Sequence, residues 1–420
     1  MTTVDTIMIA PLGPAAIGAI GVGNSAFYTL AIFGMGLLLG LDTLVSQSHG
    51  AGDKADTHHS LAQGVYSALL ITVPLMVIFQ YMPPLFAMLG ITPEVSRPAG
   101  QFVRTLSLST LPLLLYGAFR RYLQAIGHVR PVMFVLISAN LINWLFNWLL
   151  IQGHWGLPAL GVTGSALSTC LARVYMAMLL LGFIWWFERG GEEGLRSLVR
   201  PPDAGRLLQL MGIGLPAATQ ILLEIGAFGA AAMMAGRLEP VALAAHQIAL
   251  NCAALSFMVP LGISSAAAVA VGQAIGRGEP AVARGDGFIA IGLACVFMSF
   301  AAVVFLVIPT QILQFFTRDE SIIRTGVSLL GIAAIFQLFD GIQTVATGAL
   351  RGIGDTRLPA LMNFIGYWIF GLPIGYVLCF HYGYGVQGLW WGLTLALVAI
   401  ALVVLASWRV QSRQLVQFAR

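Results

Sequence analysis

The sequence predicts an all-α integral membrane protein: two six-helix bundles related by a parallel internal repeat, on a twelve-helix plan whose first helix is truncated. Three observations carry this expectation. Hydrophobic residues make up 58% of the 420 residues and charged residues only 9%, with a mean hydropathy of +0.87. Soluble domains carry about a quarter charged residues. Apolar runs recur from end to end, and about 20 such residues cross a hydrocarbon core of about 30 Å as a helix. Finally, the second half of the chain echoes the first.

Taken in order, residues 1–11 are a fragment. Eleven full spans follow near 15–46, 57–84, 97–124, 131–151, 161–187, 206–236, 240–272, 286–313, 322–351, 357–380 and 386–408. Ordinary helix breakers separate them: GAGD at 50–53, LGITPE at 89–94, GHVRP at 127–131 and GRGEP at 276–280. The most charged stretch, ERGGEEGLRSLVRPPDAGR at 188–206, falls between the fifth and sixth full spans. It divides the chain into an N-terminal lobe at 1–187, a cytoplasmic linker at 188–205 and a C-terminal lobe at 206–420.

A shift of 226 residues superposes Leu12, Pro14, Gly36, Gln47, Gly50 and Gly52 on Leu238, Pro240, Gly262, Gln273, Gly276 and Gly278. Shifts of 227 and 224 continue the match at Gly127 with Gly354 and at Gly161 with Gly385. Six spans in each half give repeats of parallel topology, related by an axis along the membrane normal. Residue 1 then maps onto position 227, whereas the matching helix of the second half begins near Arg206. About twenty residues of the first helix, roughly 30 Å, therefore lack a counterpart. Either the start lies upstream or this form lacks half a helix; a signal peptide does not explain the gap, since Met1–Ala10 has no basic n-region.

Charge sets the orientation. Counting the fragment as the first span, fifteen basic residues, from Lys54 and Arg120 through Arg196, Arg351 and Arg420, fall in one set of loops and the C-terminal tail. Five (Arg97, Arg104, Arg237, Arg318 and Arg324) fall opposite, and Arg173 lies within a span. The positive-inside rule places the C-terminus in the cytoplasm, so a multi-pass protein of the cytoplasmic (inner) membrane is expected. The formal charge of +4 comes from loop arginines and implies no nucleic-acid partner. Cys170, Cys252, Cys295 and Cys379 all fall in apolar runs and read as core. The 48 glycines suit closely packed membrane helices.

Asp5, Asp42, Glu224 and Asp340 lie inside apolar segments. A carboxylate in hydrocarbon is costly enough that it usually serves an ion or substrate pathway. Glu224 is 13 residues from Arg237 and Asp340 is 11 from Arg351, about 20 and 17 Å along a helix. Gln220, Glu224 and Phe228 share one helix face, as do Asp340, Thr344 and Thr347. An acid that holds either a proton or a cationic compound couples the two by competition.

The segments VDTIMIAPLGP (4–14), LDTLVSQSHGAGD (41–53), LEIGAF (223–228), LAAHQIALN (243–251), GQAIGRGE (272–279), FDGIQTVATGALRGIGDT (339–356) and YWIFGLPIGY (367–376) together resemble the multidrug and toxic compound extrusion (MATE) family, in its NorM-like branch. The resemblance covers essentially the whole chain. It implies twelve helices in two lobes, no cofactor, and export of organic cations driven by Na⁺ or H⁺ entry. The family's acidic positions fall on Asp5, Glu224 and Asp340, with Glu224 and Asp340 as candidate Na⁺ ligands. Asn143 and Asn147 match a polar pair lining the cation region, and Gln220, Phe336 and Thr344 join them as cavity residues. Some relatives carry a carboxylate where this chain has Gln220 and a tyrosine where it has Phe336. Both departures remove an oxygen from a metal site.

The expected function is therefore a cation-coupled multidrug antiporter working by alternating access, with small organic cations and membrane lipid as partners. A lipid or lipid-oligosaccharide flippase is the alternative; it would line its cavity with several arginines, and only Arg173 is available. An intramembrane enzyme would need a paired nucleophile and base or a His-Glu cluster within the spans, and the sequence contains none. Among weaker candidates, Asp42 reads as a cap or loop contact and His246 as structural. Arg173 could pair with an acid, snorkel or bond backbone carbonyls. Trp144, Trp148, Trp155, Trp185, Trp186, Trp390 and Trp391 suit an interface belt. Tyr367 and Trp368 lie deeper and suit either an aromatic cation or core packing. The two Gln-x-x-Gly-x-Gly segments read as turns.

Overall fold

A computed structural model describes residues 1–88, 90–189 and 200–418. Leu89 of the expected turn at 89–94, most of the expected linker with Arg196, and Arg420 at the end of the tail lie outside the described residues. The described residues are helical, with no β-strand among them. The fragment is α1 (Thr2–Ile9), and a tight turn at Ala10–Leu12 leads into α2 (Pro14–Leu37) and α3 (Gly40–Gly50). There follow α4 (Lys54–Met88), α5 (Pro93–Ser107), α6 (Thr110–Ala125), α7 (Val129–Gln152) and α8 (Gly161–Glu188). The second half holds α9 (Ala204–Ala235), α10 (Pro240–Gly276), α11 (Pro280–Val307), α12 (Pro309–Gln314), α13 (Glu320–Gly352), α14 (Arg357–Asn363), α15 (Leu372–Tyr376) and α16 (Gly385–Phe418).

These elements reproduce the eleven expected spans. Among the described residues ten helical stretches are long and apolar enough to cross a membrane, and the pair α5–α6, bent by 49°, makes an eleventh when taken as one broken span. The chain is a multi-pass membrane protein. Helix starts follow the sequence: Pro14, Pro93, Pro240, Pro280 and Pro309 occupy first turns, where a missing amide hydrogen costs nothing. Asp319 caps α13, accepting from the Ser321 amide (2.8 Å) and the Ile322 amide (3.3 Å). The Ser321 hydroxyl and these two amides hold the Asp319 carboxyl below its ordinary range. On α11, Val296, Phe300, Val303 and Val307 form an exposed apolar stripe at helical spacing. Such a stripe suits a lipid-facing surface.

The span at 357–381 departs from a plain helix. Between α14 and α15, and again after α15, the backbone widens into π-helical turns at Phe364–Gly371 and Val377–His381. Pro373 brings no amide hydrogen, so a regular ladder cannot run through it. Such turns displace side chains from their α-helical register and often occur at functional sites.

Contacts divide the chain into two compact units: residues 1–41 with 54–214, and residues 42–53 with 215–420. In the first unit α8 packs on α7, α6 and α5, and α2 packs on α5. In the second, α13 is central, flanked by α10, α11 and α16, over a core that includes Ala294, Phe336, Tyr367, Leu397 and Trp408.

Residues 42–53, most of α3, pack in the second unit although they belong to the first half of the sequence. The repeat supplies the reason. Gly50 and Gly276 are not turn residues but the last helical residues of α3 and α10. A Cβ on Gly50 would overlap the Gln273 carbonyl, and one on Gly276 would overlap the Gln47 carbonyl. The two repeat-related Gln-x-x-Gly segments thus cross one another backbone to backbone, the close approach that small residues permit in membranes. Gly276→Val is expected to destabilise the protein by about 1–3 kcal/mol, the usual range for overpacking. Thermal unfolding in detergent checks this, and an unchanged melting temperature would rule out the close crossing.

Candidate functional site

The second unit brings Glu224 on α9 together with Asp340 on α13. Asp340 is buried, and the two carboxylates lie within electrostatic range of each other. Tyr367, in the first π-helical stretch, lies within range of both. Asn363 donates from Nδ2 to Glu224 Oε2 (3.3 Å), and its own Oδ1 accepts from Gln343 Nε2 (3.1 Å). Among the described residues Asp340 receives no hydrogen bond, and no lysine, arginine or histidine forms an ion pair with either acid.

Two oxygens around this pair are also unsatisfied: Gln343 Oε1 and the Tyr367 hydroxyl are buried without a hydrogen-bond partner, as is Thr347 Oγ1 two turns further along α13. Buried polar atoms are normally paired, so orphaned oxygens beside two acids mark a place suited to a cation. Phe228 stands 5.8 Å from Phe336 and 6.0 Å from Tyr367, centroid to centroid, and Phe336 is 6.0 Å from Trp390. These rings give the acids an apolar wall. Two like charges in such a setting are stable only with a proton or a cation between them.

The first unit holds a second acid. Asp5 is buried on α1, and its Oδ1 accepts from Asn147 Nδ2 (2.7 Å) and Asn143 Nδ2 (3.1 Å), both on α7. Its Oδ2 accepts from Thr169 Oγ1 (3.1 Å) on α8. Asn143 also donates to Thr169 Oγ1 (3.3 Å). Three neutral side-chain donors largely meet the hydrogen-bonding capacity of this carboxyl group.

The candidate residues thus form two clusters. Asn143 and Asn147 join Asp5, not the Glu224–Asp340 pair. Phe336 is buried in the aromatic wall. Gln220 and Thr344 are buried, but neither side chain bonds to an acid; at Thr344 it is the backbone carbonyl that accepts, from Ser264 Oγ (2.7 Å). Sequence reasoning missed Thr169, Asn363 and Gln343. Gln343 and Thr347 lie three and seven residues after Asp340, on its helix face. Asn363 is a lone amide in an apolar span, a signal as sharp as a lone acid. The sequence draws attention to the Tyr367 ring, whereas its hydroxyl is the group within range of both acids.

Other expectations are corrected or sharpened. Asp42, in the first turn of α3, is buried and pairs with Arg351 on α13 (3.5 Å). Arg173 takes none of its three expected partners. It donates to Ser109 Oγ (2.7 Å) and lies 4.6 Å from the centroid of the Phe27 ring. Trp390 leaves the interface belt for the core, donating to His246 Nδ1 (3.0 Å), which is the structural role expected of that histidine. Trp368 is part-exposed and donates to the Leu223 carbonyl (3.0 Å).

Comparison with known proteins accords with this architecture. The MatE family model matches residues 1–149 and 216–377. The chain is 38% identical to the multidrug resistance protein NorM of Burkholderia vietnamiensis over 417 residues, 97% of this chain and 89% of that protein. It is 34% identical to a probable multidrug resistance protein NorM of Pseudomonas putida, over 98% of this chain and 90% of that one. Among solved structures, a MATE in the bent conformation is similar with a TM-score of 0.89 and 19% identity, over 100% of this chain and 92% of that one. The eukaryotic MATE transporter AtDTX14 follows with a TM-score of 0.84 and 20% identity, over 100% and 94%. Both likenesses concern the fold, a twelve-helix plan.

Proposed function

The chain belongs to the MatE family, and on that premise we propose that it is a multidrug efflux antiporter of the cytoplasmic membrane, its C-terminus inside. It couples entry of Na⁺ or H⁺ to export of organic, mostly cationic amphipathic compounds by alternating access of lobes at 1–187 and 206–420. The names of its relatives support multidrug export. The observation that carries the coupling is the Glu224–Asp340 pair, two acids with no counter-cation among the described residues and with the unsatisfied oxygens of Gln343 and Tyr367 beside them.

Carboxylate, amide, hydroxyl and phenol oxygens are the donor set of a hard cation such as Na⁺. Tyr367 and Gln343 return to the site, from other positions, the oxygens that Gln220 and Phe336 remove. A proton shared between the two carboxylates relieves their repulsion equally well. Either occupant neutralises charge before the site passes through the membrane interior, and a cationic substrate competes for the same charge. Asp5, with three neutral donors, offers a second place for a proton. The flippase reading gains nothing from the structure: Arg173, its one candidate phosphate ligand, is engaged by Ser109 and Phe27.

Ethidium efflux by the purified protein in proteoliposomes tests the proposal, with a Na⁺ gradient and a pH gradient imposed separately. Uphill transport is expected under one gradient, which identifies the ion. Failure of both gradients to drive any of a panel of organic cations, by protein that is folded and oriented, would overturn the antiporter reading.

A further inference from the structure

Unit 1 carries a groove that the ion-coupling residues do not use. It has a volume of about 560 Å³ and lies where α7 begins and α8 ends, lined by His128, Arg130, Phe134, Phe183, Trp186 and Phe187. Its floor is a chain of rings: Phe134 to Phe183 at 6.4 Å, Phe183 to Phe187 at 6.4 Å, and Phe187 to His128 at 4.3 Å between centroids. Phe134 is 57% and Trp186 51% exposed, an apolar surface that belongs against hydrocarbon. Both helices are long and apolar enough to span a membrane, so an exposed ring surface between them suits lipid.

Its rim is cationic. Arg130 and Arg189 are exposed and form no ion pair with a described residue, and the Arg189 guanidinium sits 5.8 Å from the Trp186 ring centroid. The adjacent acid, Glu188, is turned inward, held by His58 Nε2 (3.1 Å) and the Tyr122 hydroxyl (2.9 Å). No side chain caps the first turn of α7, so its amide end faces the groove mouth with a partial positive charge. An apolar trough leading to two arginines that pair with no acid among the described residues is complementary to one kind of molecule.

We propose that this groove is a binding site for one anionic phospholipid, its phosphate between Arg130 and Arg189 and an acyl chain along Phe134 and Phe183. The two features have separate roles. The ring floor selects a chain-bearing lipid over a soluble anion. The arginines select an anionic headgroup over a zwitterionic one, each contributing about fivefold in affinity. The site is independent of what the protein transports.

Native mass spectrometry on the delipidated full chain in detergent tests this, with phosphatidylglycerol and phosphatidylcholine of matched chains as probes. Wild type is expected to retain one phosphatidylglycerol at least about tenfold more tightly than phosphatidylcholine. R130Q/R189Q loses that retention on the order of 25-fold. R409Q/R413Q, which removes the same charge from exposed positions on α16, leaves it unchanged. Equal loss in R409Q/R413Q would reduce the effect to net charge, and full retention in R130Q/R189Q would place the lipid elsewhere. Competition by millimolar inorganic phosphate would make the ligand a soluble anion. Each of these three results overturns the proposal.

Discussion

Asp340→Asn and Glu224→Gln each lower cation-driven ethidium efflux by at least about tenfold at equal expression, since a contact to a charged group carries about 1.5–3 kcal/mol, or 10- to 150-fold. Neither variant loses stability, and a small gain is expected, because neutralising one of two facing carboxylates that lack a counter-cation removes repulsion. That pairing of lost transport with kept or raised melting temperature separates a coupling role from a folding role. Tyr367→Phe then distinguishes the ions. The phenol oxygen is buried and unpaired, so its removal weakens a Na⁺ site by one ligand and leaves a proton shared by two carboxylates in place. Wild-type efflux from both carboxylate variants would remove the pair from the mechanism.

The span count was legible because hydrocarbon enforces it: an apolar run of helix length has one stable fate in a bilayer. The acids were legible for the same reason, since a lone carboxylate among leucines and alanines stands out by its cost. Their partners were not. Asn363 reaches Glu224 from 139 positions away and Thr169 reaches Asp5 from 164 away, and no periodicity within one helix reports a contact between helices. Trp390 shows a related limit. Its position near a span end suits an interface belt, and only packing shows the indole turned inward onto His246. The internal repeat was legible as a match of glycines at a fixed offset, but its consequence, the reciprocal crossing of Gly50 and Gly276, needed three dimensions.

Arg351→Met is expected to destabilise the protein by about 3–5 kcal/mol, because it removes a buried cation that faces the buried Asp42. The contact it breaks explains why α3 packs with the second unit. The last carbonyls of a helix have no partner within it, and at the end of α13 they are met by α3: Thr43 Oγ1 donates to the Arg351 carbonyl (2.5 Å) and Gln47 Nε2 to the Gly352 carbonyl (2.9 Å). The Asp42–Arg351 pair lies beside these bonds and fixes their register. Removing both charges together removes both desolvation penalties, so Asp42→Leu/Arg351→Met should recover most of the lost stability. Melting temperatures of the two single variants and the double variant in detergent give the coupling directly. Strict additivity of the two losses would mean that the pair contributes nothing as a pair, and that α3 is held on α13 by its main-chain hydrogen bonds and the glycine crossing alone.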